Sequence, residues 1–316
     1  MEEEKSYQIY DISNFESDTL EQLGTKSKFW YMDKDEEFLF KSIKTKKGFR
    51  FGEDWAEKIA CELAKILGLP HAHYELAVHN GVRGVITKNF IKKSTDVNHA
   101  FYRAEYLIAG NELLQQYVES KNGDNPNIQL INDVYQVMQK KSGKPIGFDS
   151  FTDVKTASDF FVGYLMFDVL IGNQDRHNQN WGVIVTAIGN NHLAPSYDHG
   201  ASLARNESDE KRQSRMLSKD KGQQISTYVL KTLSWFQDSE TLKRLKLLEA
   251  FRQYGLLEKD AIRAWLERLK VLKSEDFWTI IEKVPESLMS DVSKQFTYQL
   301  LVCNQENLLK LYDEFL

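Results

Sequence analysis

The sequence predicts an α+β protein of two lobes: a small antiparallel β-sheet with one helix over residues 1–92, then a larger, mostly helical lobe over 93–316. Three observations lead there. Residues 20–92 alternate strand-like aromatic runs with a single amphipathic helix. Most of the chain after residue 104 carries apolar residues at helical spacing. At roughly 150 residues per domain, a 316-residue chain makes two domains or one large two-lobed unit.

The elements follow in order. Residues 28–31 (KFWY) and 38–41 (FLFK) flank the polar MDKDEE and read as a hairpin. In DWAEKIACELAKILGL, Trp55, Ile59, Leu63, Ile66 and Leu67 mark a helix, with Asp54 as its expected N-cap and Gly68 before Pro70 as its end. The Asn80-Gly81 dipeptide between two strand-like runs signals a second hairpin. Segments 104–120, 126–141, 154–171 and several stretches from 241 onward are expected to be helical. Residues 172–204 break this pattern: the polar GNQDRHNQNWG, a short strand VIVTA, a turn at 189–191, then HLAPSYDHGAS. A polar loop on a rigid scaffold is where chemistry is commonly placed. Residues 204–222 are almost purely polar and read as a solvated flexible loop.

Composition narrows the classes. Forty-one Lys+Arg against forty-six Asp+Glu, a net charge of −5, disfavour a nucleic-acid binder, so no direct contact with nucleic acid is expected. Two cysteines, Cys61 and Cys303, disfavour a disulfide framework and exclude a cysteine-rich zinc site. The acidic start MEEEKSYQIY lacks an apolar signal region, and the most apolar stretch, 160–171, is short and interrupted by Asp168. A cytoplasmic protein without membrane association is the simplest expectation, and a secreted effector without an N-terminal signal stays open.

The chemistry concentrates in one constellation. Asp175 precedes Asn180 by five residues, and Asp198 follows Asn180 by eighteen, after a short hairpin that returns it beside Asn180. An Asn amide oxygen and an Asp carboxylate are the hard donors that Mg2+ takes alongside water and phosphate. Asp175 is then available to orient or deprotonate a hydroxyl, which completes the set phosphoryl transfer needs. Such an enzyme also needs a strand lysine for the ATP phosphates and a helical glutamate to hold it; Lys41 and Glu57 are the natural pair. Gly24, Thr25, Lys26 and Ser27 are the expected loop over the phosphates, with only one glycine. Each piece alone has a plainer reading. Lys41 would be a solvated strand-edge lysine, Glu57 an exposed helix residue, residues 24–27 a turn, and His177 a structural hydrogen-bonder. Their order and context together favour the functional reading.

At IGNQDRHNQNWG and LAPSYDHG, and more weakly at GTKSKFWY–FLFK, WAEKIACELAKILGLP and RGVITKNF, the chain resembles the HipA-like serine/threonine kinases over roughly residues 20–300. The resemblance implies a two-lobed protein-kinase-like fold and transfer from ATP, with Mg2+, to a protein Ser or Thr. It implies Asp175 as catalytic base, Asn180 and Asp198 as metal ligands, Lys41 on the ATP phosphates and Glu57 paired with Lys41. It further implies Lys88, Asn89 and Phe90 as the hinge beside adenine, and His177 as a brace of the catalytic loop. Ser27 or Thr25 would be an inhibitory autophosphorylation site, and a small DNA-binding antitoxin a partner, for a toxin- or effector-type enzyme in the bacterial cytoplasm. Classical HipA toxins carry an extra N-terminal subdomain for which the position of residue 24 leaves no room, so their antitoxin-binding mode is not carried over. The alternatives are a lipid or small-molecule kinase of the same fold, for which Lys44, Lys46, Lys47 and Arg50 would face an anionic headgroup, and a nucleotide-binding pseudokinase. A metal nuclease is disfavoured by the acidic charge.

Overall fold

The computed structural model describes residues 6–15, 19–20, 26–92, 105–120, 128–151 and 153–315. Its N-terminal part runs β1 (Ile9–Asp11), β2 (Thr19–Leu20), β3 (Lys26–Asp33), β4 (Glu36–Thr45), β5 (Gly48–Phe49), α1 (Glu53–Leu67), β6 (Tyr74–His79) and β7 (Val82–Lys88). These strands form one sheet in the order β1-β6-β7-β4-β3-β2, with β5 paired to β4. Both expected hairpins are present. Tyr31 pairs with Phe38 across β3 and β4, and β6 meets β7 through Asn80 and Gly81, both at positive φ as a tight hairpin turn requires. β1 joins β6 in parallel and extends the antiparallel set.

Period-two alternation along the central strand β4 sets up the site. Phe40 packs with Phe29, Tyr31 and Ile86 on one face. Lys41 points the other way, toward α1, where its ammonium meets Glu57. Far from lying solvated at a sheet edge, Lys41 is in the middle of the sheet, opposite Lys28 on one side and Val85 on the other. The helix begins two residues earlier than its sequence suggests: Gly52, at φ 88, is the N-cap, and Asp54 is buried in an ion pair with Arg83. A left-handed residue gives the chain a sharp entry that no side-chain cap had to supply. Gly68 ends the helix as expected.

The remainder comprises β8 (Tyr106–Ala109), α2 (Gly110–Glu119), α3 (Ile131–Lys141), α4 (Ala157–Ile171), β9 (Gly182–Val185), β10 (Asn191–Leu193), α5 (Asp209–Leu217), α6 (Ile225–Val229), β11 (Leu233–Gln237), β12 (Arg244–Lys246), α7 (Leu247–Gly255), α8 (Lys259–Val271), α9 (Ser274–Glu282), α10 (Asp291–Lys310) and a 3-10 turn at Tyr312–Phe315. Every residue of α4 is buried, which marks it as the central helix, packed on α3, α7, α8 and α10. Thr156 and Asp159 close its start with a reciprocal capping box, and Gly172 ends it and releases the chain into the polar loop 173–181.

Two expectations change. The start of the 104–120 helix is a strand: residues 106–109 pair with β9, a short apolar run whose periodicity fits either state. Within 204–222, residues 209–217 form α5, capped by Ser208 and anchored by the buried Arg212, which donates to Ser293, Ala204 O and Arg205 O. Charge-rich composition hid an arginine whose partners lie inside.

A close approach fixes Gly163 in the middle of α4. A Cβ there would stand 2.4 Å from the Trp265 ring, and Trp265 is fully buried with its Nε1 donating to Asp159 O at 2.8 Å. Gly163→Ala is therefore expected to destabilise by about 1–3 kcal/mol through overpacking, although alanine is the better helix former. Urea unfolding of the variant beside the parent checks this.

Candidate active site

The sheet, α1 and the segment after β10 join Lys41, Glu57 and Asp198 directly, while the 173–181 loop ties Asn180 to Asp175 and reaches Ser196 and His199, either side of Asp198, through Arg176. Lys41 Nζ lies 2.8 Å from Asp198 Oδ1 and 3.3 Å from Glu57 Oε1. Burial alone would push this ammonium toward neutrality. The Asp198 carboxylate, with Tyr74 and Glu57, outweighs that and holds its pKa well above the usual lysine range. The Tyr74 ring lies 5.4 Å from Lys41 Nζ, and its hydroxyl accepts the Asp198 N–H at 3.3 Å. Asp198 takes φ 60, a left-handed conformation that Asp tolerates better than most side chains. Glu57 does double duty: Oε1 meets Lys41, and Oε2 accepts the His199 N–H at 2.9 Å.

The loop 173–181 is built around Arg176. Its guanidinium is buried and grips Asp168 of α4 with two parallel bonds of 2.8 Å, from Nε to Oδ2 and from Nη2 to Oδ1. Nη1 donates to Asn180 O at 2.9 Å, and Nη2 also reaches Ser196 Oγ at 2.8 Å and His199 Nε2 at 3.3 Å. Because arginine only donates, His199 Nε2 is the acceptor here; burial, then Arg176, push its pKa well below the usual histidine value, so it is neutral. Asn180 donates from Nδ2 to Asp175 O at 2.8 Å, which identifies its Oδ1 as the end able to ligate a cation. Asn173 joins in: Nδ2 donates to Asp168 Oδ1 at 2.8 Å, and Oδ1 accepts the Asp175 N–H at 3.2 Å.

Asp175 is half-exposed, and its Oδ1 accepts from Trp235 Nε1 of β11 at 3.3 Å. Arg244 of β12 lies over the Trp235 ring at 4.5 Å and donates to Gln174 O at 3.2 Å. His177 has its Nε2 3.8 Å from Asp175 Oδ1 and its ring edge-on to Trp235. It is partly exposed, and its Nδ1 accepts the Gln179 N–H at 3.1 Å, so it holds the loop from the outer side while Arg176 holds it from the buried side.

Other expected site residues lie around the crevice. Lys88 ends β7 and pairs with Glu36. Asn89 donates its backbone N–H to Glu37 O at 2.8 Å, which removes that N–H from the donors a hinge could offer adenine. Phe90 packs on Tyr197, beside Asp198. Gly24 and Thr25 lie outside the described residues. The backbone of Lys26 and Ser27 opens β3, at a register shift next to the Lys28–Lys41 pair.

Sequence reasoning passed over Arg176, His199, Ser196, Tyr74, Trp235 and Arg244. Asp168 carried a usable signal: a carboxylate inside an otherwise apolar helix must find an internal cation. Trp235 and Arg244, about sixty and seventy residues from Asp175, had none.

Removing one partner of the buried pair leaves an uncompensated charge. Arg176→Ala is expected to cost about 3–5 kcal/mol, and Asp168→Leu with Arg176→Met to recover most of that. Denaturant midpoints of the single and double variants check this, and equal losses in both would contradict the pairing.

The chain was compared with known proteins. A family model described as HipA-like C-terminal domain matches residues 22–275. The serine/threonine-protein kinase CtkA of Helicobacter pylori is 23% identical over 248 residues, 78% of this chain and 68% of that protein. The crystal structure of the H. pylori proinflammatory kinase CtkA covers 98% of both chains at 19% identity with a TM-score of 0.76. HipA of Shewanella oneidensis MR-1, solved with HipB and operator DNA, covers 97% of this chain and 69% of its own at 14% identity and a TM-score of 0.53. At such identities the structural likeness speaks for the fold, the two-lobed kinase-like α+β architecture. The family model spans Lys41, Glu57, the 173–181 loop and Asp198 alike, and the chain belongs to the HipA-like C-terminal domain family.

Proposed function

We propose that this chain is an ATP- and Mg2+-dependent phosphotransferase acting on Ser or Thr hydroxyls of a protein substrate. The observation that carries the reading is Lys41, a buried strand lysine bonded at once to a helical glutamate and to Asp198. That junction is what a nucleotide-phosphate site of this kind requires. The name of the H. pylori relative, serine/threonine-protein kinase, supports the acceptor class.

The residues fit a hard divalent cation. Asn180 presents an amide oxygen whose nitrogen is tied down, and Asp198 presents a carboxylate 28% exposed at the crevice. Mg2+ held there would neutralise charge on the transferring phosphate. Lys41 would bind the ATP phosphates, with Glu57 fixing its position. Asp175 would orient the acceptor hydroxyl and take its proton as the oxygen attacks the γ-phosphorus and ADP departs. Little covalent help is asked of the protein, so positioning and electrostatics provide the rate.

Among the described residues no helix is long and apolar enough to cross a membrane. Lys44 ends β4 opposite Phe49, the lysines at 46 and 47 form the turn to β5, and Arg50 pairs with Glu53, so the basic run gives the lipid-kinase alternative no separate support. A DNA-binding antitoxin-type partner is suggested by the HipA–HipB complex alone. Autophosphorylation at Ser27 or Thr25 remains part of the proposal, through the family resemblance.

Purified protein is incubated with radiolabelled ATP, Mg2+ and a panel of protein and lipid acceptors. Label is expected in protein Ser or Thr, lost on chelation. Asp175→Asn is expected to lower the rate by about 10²–10⁴ with an unchanged melting temperature. Transfer by Asp175→Asn at the parent rate, or label entering lipid alone, would overturn the reading.

A further inference from the structure

Among the described residues, one cluster of ligating side chains lies outside the proposed phosphotransfer machinery. Cys61 is on α1, one turn beyond Glu57, and His71 and His73 follow on the segment leading into β6. The Cys61 sulfur and one nitrogen of each imidazole lie within 4.8 Å of one another; Cys61 is buried, His71 half-buried and His73 exposed. The sulfur is 3.7 Å from His73 Nδ1. Around a tetrahedral zinc ion, with bonds of about 2.3 Å to sulfur and about 2.0–2.1 Å to nitrogen, such ligands stand roughly 3.5 Å apart. The Cys61–His73 pair already stands at nearly that spacing, and closing the set draws in atoms no more than 4.8 Å apart.

The far side of each imidazole supplies an independent observation. His71 Nδ1 lies 2.7 Å from Leu69 O, a carbonyl that only accepts, so Nδ1 carries the hydrogen and Nε2 is the ligating nitrogen. His73 Nε2 donates to Glu75 Oε1 at 2.9 Å, which assigns Nδ1, the atom beside the sulfur, as its ligand. A carboxylate or carbonyl behind each histidine is the outer shell that orients metal-binding imidazoles. The Tyr74 N–H donates to Cys61 Sγ at 3.3 Å, as suits a thiolate. Burial raises the Cys61 thiol, but the hydrogen bonds and charge of the two histidines outweigh it and bring its pKa down to about 7.

We propose that Cys61, His71 and His73 bind Zn2+, or a similarly borderline-soft divalent cation, with a solvent molecule as fourth ligand on the exposed His73 side. Binding releases the thiol proton and any proton on His73 Nδ1. The sulfur and nitrogen donors select against Mg2+. Tyr74 touches both regions, its N–H on Cys61 Sγ and its hydroxyl accepting from the Asp198 backbone, and Ala72 N–H bonds Ser196 O at 2.9 Å. The ion would fasten α1 to the segment leading into β6, which in turn hydrogen-bonds the segment that carries Asp198. This site does not depend on the phosphotransferase reading.

The test is a Co2+ titration of the full chain after chelator treatment, followed by absorption. One equivalent is expected to produce a thiolate-to-cobalt band in the near ultraviolet and tetrahedral d–d bands in the visible. Zn2+ should displace them, and excess Mg2+ should not. Cys61→Ser should lose the thiolate band and Cys303→Ser should keep it. His73→Ala, at an exposed position, and Glu75→Gln, behind it, should each weaken Co2+ binding by about tenfold or more with unchanged circular dichroism. Absence of a thiolate band in the parent, its persistence in Cys61→Ser, or parent affinity in His73→Ala would overturn the proposal.

Discussion

A guanidinium sealed from water must be satisfied from inside the protein, and Arg176 is satisfied by Asp168, Asn180 O, Ser196 and His199. That single side chain ties three pieces of the chain together: the end of the central helix, the polar loop and the segment after β10 that carries Asp198. From His199 the chain of contacts continues through its N–H to Glu57, from Glu57 to Lys41 and from Lys41 back to Asp198. A buried ion pair of this kind adds little net stability over well-packed apolar groups. Its value here is positional: it leaves the loop one low-energy arrangement.

The same network decides what the crevice offers. Glu57 spends one oxygen on each side, so α1 cannot move outward without breaking one of the two Lys41 ion pairs and stranding the His199 amide. The neutral His199, pressed between Arg176 and Ser196 with its ring edge-on to Phe167, relays position without adding charge. On the open side, Asp175 meets Trp235 and the Arg244 that stacks on it, so the carboxylate expected to handle the acceptor hydroxyl is steadied from a hairpin far along the chain. Local sequence sets the loop, and long-range packing sets its outlook.

Much of this was legible in the residues. Alternation in FLFK, the Asn80-Gly81 turn and the helical period through Trp55, Ile59 and Leu63 specify the sheet and its helix, because each follows from local geometry and burial. The five-residue step from Asp175 to Asn180 and the hairpin return to Asp198 pointed to the crevice, since a short loop and a tight turn constrain where the chain can go. What stayed hidden depends on partners distant in sequence. Asp54 looked like a cap and pairs with Arg83 instead. The 204–222 segment looked solvated because composition counts charges and does not reveal that Arg212 turns inward to Ser293. His177 drew attention as the ring in the motif, while the buried work falls to its neighbour, the arginine whose partner Asp168 lies eight residues upstream on a helix face.

The central claim is that the oxygens of Asn180 and Asp198 converge on one divalent cation beside Lys41. The most direct measurement is a crystal structure grown with Mn2+ and a non-hydrolysable ATP analogue, with the metal located by its anomalous signal. A peak ligated by Asn180 Oδ1 and an Asp198 carboxylate oxygen, with phosphate completing the shell, is the predicted result. A nucleotide-bound peak that touches neither side chain would contradict the account.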